Sequence, residues 1–135
     1  MTNPTACLLV IGNEVLSGRT QDANIRHIAT GLGGIGMPLR EVRVIPDVPG
    51  TIVATVNECR ARFDHVFTTG GIGPTHDDIT SECIAAAFGV PWEPQPEAEA
   101  WLHMVVERLG RHDDEVRRWG IRLRDECGVR LVDLI

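Results

Sequence analysis

Two periods of apolar residues alternate along this chain. Ala6 to Ile11 is an unbroken apolar run that ends in Gly12, the pattern of a strand covered on both faces. After a loop through Gly18, Asp22 is placed to cap a helix whose apolar residues Ile25, Ile28, Ala29 and Leu32 recur at i, i+3, i+4 and i+7. Gly33 and Gly34 are expected to stop it. Leu39 to Ile45 predicts a second strand with Val42 and Val44 on one face, and Pro46-Asp47 turns the chain. Ile52, Val56, Cys59 and Phe63 mark a second helical stripe, followed by a third strand at Val66 to Thr68. Ile79, Cys83, Ile84, Ala87 and Phe88 line one face of a third helix, which Gly89 and Pro91 terminate. A fourth helix begins near Pro96, with Ala98, Trp101, Leu102, Val105, Val106 and Leu109 on its core side. The order β-α-β-α-β-α predicts one three-layer α/β/α domain over residues 1–135 with a largely parallel sheet.

The densest chemistry lies in residues 68–80, TTGGIGPTHDDIT. A glycine-rich turn leaves an apolar strand there and enters a helix. Such glycines let the backbone take positive φ and present bare N–H groups, and a helix start adds the positive end of its dipole, so the turn suits an anion such as phosphate. Asp77 and Asp78 occupy the same place and would repel phosphate unless a cation lay between. Hard divalent ions such as Mg²⁺ are held by one or two carboxylates plus substrate phosphates. The competing reading is that Asp77, Asp78 and Thr80 only cap the helix; spacing alone leaves both open. The turn is neither GxGxxG nor GxxxxGK[ST].

In an open α/β sheet, ligands bind beyond the carboxyl ends of the strands. Gly12-Asn13-Glu14, Pro46-Asp47 and Gly70-Gly71-Ile72-Gly73 follow the three predicted strands, so Glu14, Asp47 and Asp78 are expected over one pocket. Taken singly, Asp47 reads equally as a turn residue and Glu14 as a solvated loop acid.

Charge narrows the partners. The 135 residues carry a net charge of −6, with thirteen scattered basic residues, all Arg, which disfavours a nucleic-acid partner because counterion release needs clustered cations. No apolar run reaches the length of a membrane span, and Met1-Thr2-Asn3-Pro4 lacks the build of a signal peptide, so a cytoplasmic protein is expected. Cys7, Cys59, Cys83 and Cys127 form no CxxC pair; the first three fall in apolar patterns and read as small core residues. His76 is expected to face solvent, with no second His or Cys near it to make a metal site.

The run TTGGIGPTHDDIT, with Gly12-Asn13-Glu14-Val15-Leu16-Ser17-Gly18 and Asp22-Ala23-Asn24, resembles the MoaB/Mog molybdopterin-binding domain family, and within it the CinA-type branch. The resemblance runs from about Ala6 to about Pro96. It implies that Asp47 and Asp78 are the catalytic and metal-binding acids. It implies further that Gly70, Gly71 and Gly73 bind the phosphate end of the ligand, and that Gly12, Asn13, Glu14, Ser17, Gly18, Thr69, Pro74 and Thr80 line the same pocket. The implied ligand is molybdopterin or a nucleotide, with Mg²⁺ or another divalent cation. The Mog type implies adenylyl transfer from ATP to molybdopterin, and the CinA branch implies cleavage of a nucleotide pyrophosphate such as ADP-ribose; a ligand-binding domain without turnover is the reading of another class. A homo-oligomer, often a trimer, is also implied. Beyond Arg111 the chain departs from the family pattern, lacking its Leu-Pro-Gly-x-Pro segment, so the fold is expected to be truncated at its C-terminal end, with the apolar residues of 111–135 packed away from water.

Overall fold

The computed structural model describes residues 2–73 and 75–109. The expectations for residues 111–135, for Cys127 and for Pro74 lie outside the described residues, as do the side chains of Leu102, Val105, Val106 and Leu109. The elements in order are β1 (Ala6–Ile11), α1 (Asn13–Leu16), α2 (Asn24–Gly34), β2 (Leu39–Ile45), α3 (Pro49–Arg62), β3 (His65–Thr69), α4 (Thr80–Phe88) and α5 (Pro96–Leu109). The chain divides between Gly71 and Ile72 into two compact units, described in turn.

The first unit is a three-stranded parallel sheet in the order β2-β1-β3. Every residue of β1 is buried, as its unbroken apolar run predicts for a central strand. β2 is more open, with Val42 37% exposed, and Glu41 and Arg43 face α3: Arg43 makes two hydrogen bonds to Glu58 at 2.8 and 2.9 Å and one to Glu41. α3 buries Ile52, Thr55, Val56 and Cys59. Thr55 was not expected there; it is i+3 from Ile52, and its hydroxyl is satisfied by the carbonyl of Thr51 at 2.7 Å. At the amino end of the sheet, Asp64 Oδ2 accepts from both the N–H and the hydroxyl of Thr5, at 2.7 and 2.8 Å, and clasps the start of β1 to β3.

The stripe Ile25, Ile28, Ala29 and Leu32 keeps its predicted phase on α2 but is only half-buried. Asp22 accepts the N–H of Ile25 at 2.8 Å, which is the capping bond the sequence suggested. The helix end differs from expectation. Gly33 and Gly34 remain helical, and the left-handed residue is Gly36, φ +79. Its N–H reaches the Gly33 carbonyl and that of Met37 reaches Leu32, the paired bonds of a Schellman ending. The backbone stops where a residue adopts positive φ, not at the first glycine.

In the second unit, α4 ends on Gly89, φ +66, as predicted, with Val90 N–H bonded to the Ala85 carbonyl. Its buried face is Thr80, Cys83, Ala85 and Ala87. Phe88 was expected on that face but is 53% exposed, being one residue past the stripe that Thr80, Cys83 and Ala87 define at i, i+3 and i+7. Trp101 likewise is 56% exposed, not on a buried side of α5. The side chain of Gln95 caps α5 through the N–H of Ala98 at 2.6 Å. No helix among the described residues is long and apolar enough to cross a membrane.

Candidate functional site

Parallel pairing brings the carboxyl ends of the three strands level: Ile11 lies opposite Ile45, and Val10 opposite Thr69. The loops after β1, β2 and β3 therefore leave the same end of the sheet. The first two are tied together. Gly12 N–H donates to the Ile45 carbonyl at 3.0 Å, Asn13 N–H donates to Asp47 Oδ2 at 2.9 Å, and Asp47 N–H donates back to Asn13 Oδ1 at 3.2 Å. Asp47 sits at the centre of a three-residue turn closed by Val48 N–H to the Pro46 carbonyl at 2.8 Å. Asp47 is thus a turn residue, and Asn13 fixes its carboxylate.

The β1 loop opens with α1, a single helical turn where the sequence pattern predicts a loop. The Glu14 carboxylate folds back over Gly12, where an added Cβ would lie 2.5 Å from Glu14 Oε1. After α1, Gly18 turns left-handed at φ +76, and the Glu14 carbonyl accepts both Thr20 N–H and the Ser17 hydroxyl. This return places Arg19 beside Ser17, with Arg19 Nε 3.2 Å from Ser17 Oγ. Arg19 was not singled out from the sequence, although its charge in an acidic loop was a visible signal.

Where β3 ends, Gly70 and Gly71 are left-handed in succession, φ +86 and +66. A Cβ on Gly70 would overlap the Ile11 carbonyl oxygen, so only glycine fits this approach to β1. Beside it, Thr69 Oγ1 is buried without a hydrogen-bond partner among the described residues. Buried hydroxyls are ordinarily paired, so this one is available to a ligand or water.

The second unit carries Gly73, Thr75, Asp78 and Thr80. Asp78 Oδ2 accepts from Thr75 N–H at 2.9 Å and Thr75 Oγ1 at 2.6 Å, and Asp78 N–H returns to the Thr75 carbonyl at 3.1 Å. The carboxylate closes over Gly73, where an added Cβ would lie 2.8 Å from Asp78 Oδ2. α4 starts at Thr80, not directly after the glycines, and Thr80 is only 1% exposed, so its side chain is shut from solvent. His76 is exposed, as expected, and lies 2.8 Å from Asp77 Oδ1.

A hard cation suits oxygen donors such as Asp47 in the first unit and Asp78 in the second, each taken by itself. No group of three or more His, Cys, Asp or Glu side chains is assembled for a metal among the described residues. A cation here would take one or two carboxylates and be completed by ligand oxygens and water, as Mg²⁺ commonly is.

Known proteins resemble this chain in sequence and in fold. The family described as "Probable molybdopterin binding domain" matches residues 7–124. A CinA-like protein of Myxococcus xanthus is 38% identical over 103 residues, covering 76% of this chain and 24% of its own length. The chain thus spans about a quarter of that relative. Among solved structures, CinA of Thermoplasma acidophilum superposes with a TM-score of 0.74 at 29% identity, over 87% of this chain and 69% of that one. MoaB of Thermus thermophilus shares the fold, with a TM-score of 0.60 at 22% identity over 84% of this chain and 71% of that one. With its parallel-sheet α/β fold and its glycine turn, the chain belongs to the MoaB/Mog molybdopterin-binding domain family, in the CinA-type branch.

Proposed function

We propose that this chain binds a pterin or nucleotide at the carboxyl end of its sheet and acts, with Mg²⁺ or another divalent cation, at a phosphoanhydride by adenylyl transfer from ATP to molybdopterin. The observation that carries the proposal is the buried, unpartnered hydroxyl of Thr69 beside the two left-handed glycines. A polar group left so costs free energy that a ligand oxygen would recover. Gly70 and Gly71 give the turn the left-handed backbone that lets a phosphate come close, and the reciprocal bonds with Asn13 hold Asp47 in one orientation. In the second unit, Thr75 holds the Asp78 carboxylate, the other acid to which the proposal gives a catalytic role. A bound divalent cation would offset the charge that develops on the phosphoryl oxygens. The resemblance adds a homo-oligomer, a trimer by analogy, working in the cytoplasm.

A second reading, hydrolysis of a nucleotide pyrophosphate such as ADP-ribose, is favoured by the stronger likeness to a CinA structure than to a MoaB one. One assay separates them. Purified chain with Mg²⁺ is given ATP plus molybdopterin, or ADP-ribose, in parallel. Pyrophosphate and adenylylated molybdopterin are expected from the first mixture; AMP and ribose phosphate from the second alone would establish the other reading. Tight binding with neither product would make the chain a ligand-binding domain, and no binding of either ligand would overturn the proposal.

A further inference from the structure

We infer that Arg19 is a ligand-binding residue, supplying the positive charge that meets the anionic part of the ligand. This rests on the proposal that the carboxyl end of the sheet holds a phosphate-bearing molecule. Three observations lead to it. First, in the parts of the first unit that follow β1, β2 and β3, residues 12–23, 46–48 and 70–71, Arg19 is the sole Lys or Arg, against Glu14, Asp22 and Asp47. A phosphate approaching such an acidic surface is repelled unless a cation is present.

Second, the backbone around Arg19 is pinned. Gly18 N–H bonds to the Val15 carbonyl and Thr20 N–H to the Glu14 carbonyl, at 3.2 and 3.1 Å, so the residue between them has little freedom. The left-handed φ of Gly18 makes this return possible. Third, the side chain is held by one edge. Its Nε donates to Ser17 Oγ, while Nη1 and Nη2 have no hydrogen-bond or ion-pair partner among the described residues. The contrast is Arg43, whose Nε, Nη1 and Nη2 are all engaged by Glu41 and Glu58. An exposed guanidinium anchored at Nε and open at both Nη groups presents a planar fork, the geometry that matches two phosphate oxygens. Its orientation is partly fixed before the ligand arrives, which lowers the entropy lost on binding.

The test uses the full chain, with ADP-ribose as the anionic probe and adenosine as a neutral one, in calorimetric titrations of the wild type, Arg19→Gln and Arg19→Lys. Arg19→Gln is expected to weaken ADP-ribose about tenfold and to leave adenosine within about twofold. Arg19→Lys keeps the charge but not the fork, so an intermediate loss of about threefold is expected. Unfolding curves check that all three fold alike, as the exposed position predicts. Equal ADP-ribose affinity in wild type and Arg19→Gln overturns the inference while leaving the site intact. A loss shared equally by adenosine would show a merely structural role and overturn it too. Should the wild type bind neither probe, the inference fails together with the reading of the site itself.

Discussion

Gly70 and Ile11 approach so closely that a Cβ on the first would lie 2.0 Å from the carbonyl oxygen of the second. The end of β3 is thereby held against the end of β1, and the glycine turn is positioned by main chain. The requirement is double, since Gly70 also sits at φ +86.

Gly70→Ala is therefore expected to cost about 3 kcal/mol or more, through overlap and left-handed strain together. Gly18→Ala is its control: φ there is +76, with nothing within 4 Å of an added Cβ, so only the conformational cost of about 1 kcal/mol applies. Urea unfolding of both variants would check this, and equal costs would show that backbone proximity adds nothing.

Asp78→Asn and Asp47→Asn should each reduce turnover at least about 100-fold, because a neutral amide cannot serve a divalent cation or a developing charge as a carboxylate does. Their folding stability should change by less than about 1 kcal/mol, since an amide oxygen can still accept the N–H groups of Thr75 and Asn13. Steady-state rates measured beside unfolding midpoints separate the two effects. A variant that keeps its rate would remove that acid from the chemistry.

Acid should destabilise the first unit by two separable routes. Hydrogen bonds from Arg43 hold the Glu58 carboxyl below its ordinary value of 4.5, and those from Thr5 hold Asp64 below 3.8. Each contribution is complete above the ordinary value and is lost as pH falls through the lower folded-state value. The Glu58 part involves exposed charges and should shrink in about 0.5 M salt, whereas the Asp64 part, made to neutral donors, should persist. Unfolding midpoints of the wild type, Glu58→Gln and Asp64→Asn from about pH 6 to pH 3 would show a flatter acid limb in each variant.

The thiols of Cys7 and Cys59 lie 3.6 Å apart and are fully buried. Burial, reinforced by the neighbouring sulfur, pushes Cys7 up to about 12. In the native chain at pH 8, iodoacetamide should leave Cys7, Cys59 and the likewise buried Cys83 unlabelled, while urea should expose all three. Peptide mass analysis would register each site, and native labelling of Cys7 would show that the core opens locally.

Local signals were legible in the sequence, and pairings across the fold were not. The apolar run of β1, the Asp22 cap and the Gly89 ending each depend on a few neighbouring residues, and each appears as read. The end of α2 moved to Gly36 because propensity says which residues tolerate positive φ but not which one adopts it. The clasp of Asn13 and Asp47 joins residues thirty-four apart, so it exists only once β1 and β2 are aligned. Asp78 was read as a helix cap or a metal ligand; its bonds to Thr75 show a third role, closing its own loop. Trp101 and Phe88 were assigned to a buried face on hydrophobicity, which states what a residue tolerates and not what covers it.

Placing the most apolar strand first in sequence and central in space has a cost in time. β1 leaves the ribosome before β2 and β3 do, and its match with β3 joins Ala6 to His65. Pairings of such long range are slow to form, because the loop between them must be closed before any contact rewards it. During synthesis at about 5–20 residues per second, the strand stays without its second neighbour for several seconds. Its six consecutive apolar residues are then a ready template for association with other chains. Yield of the folded protein should therefore be governed by how quickly β3 arrives, so that slower translation or higher expression temperature favours aggregation even though the finished sheet hides β1 completely.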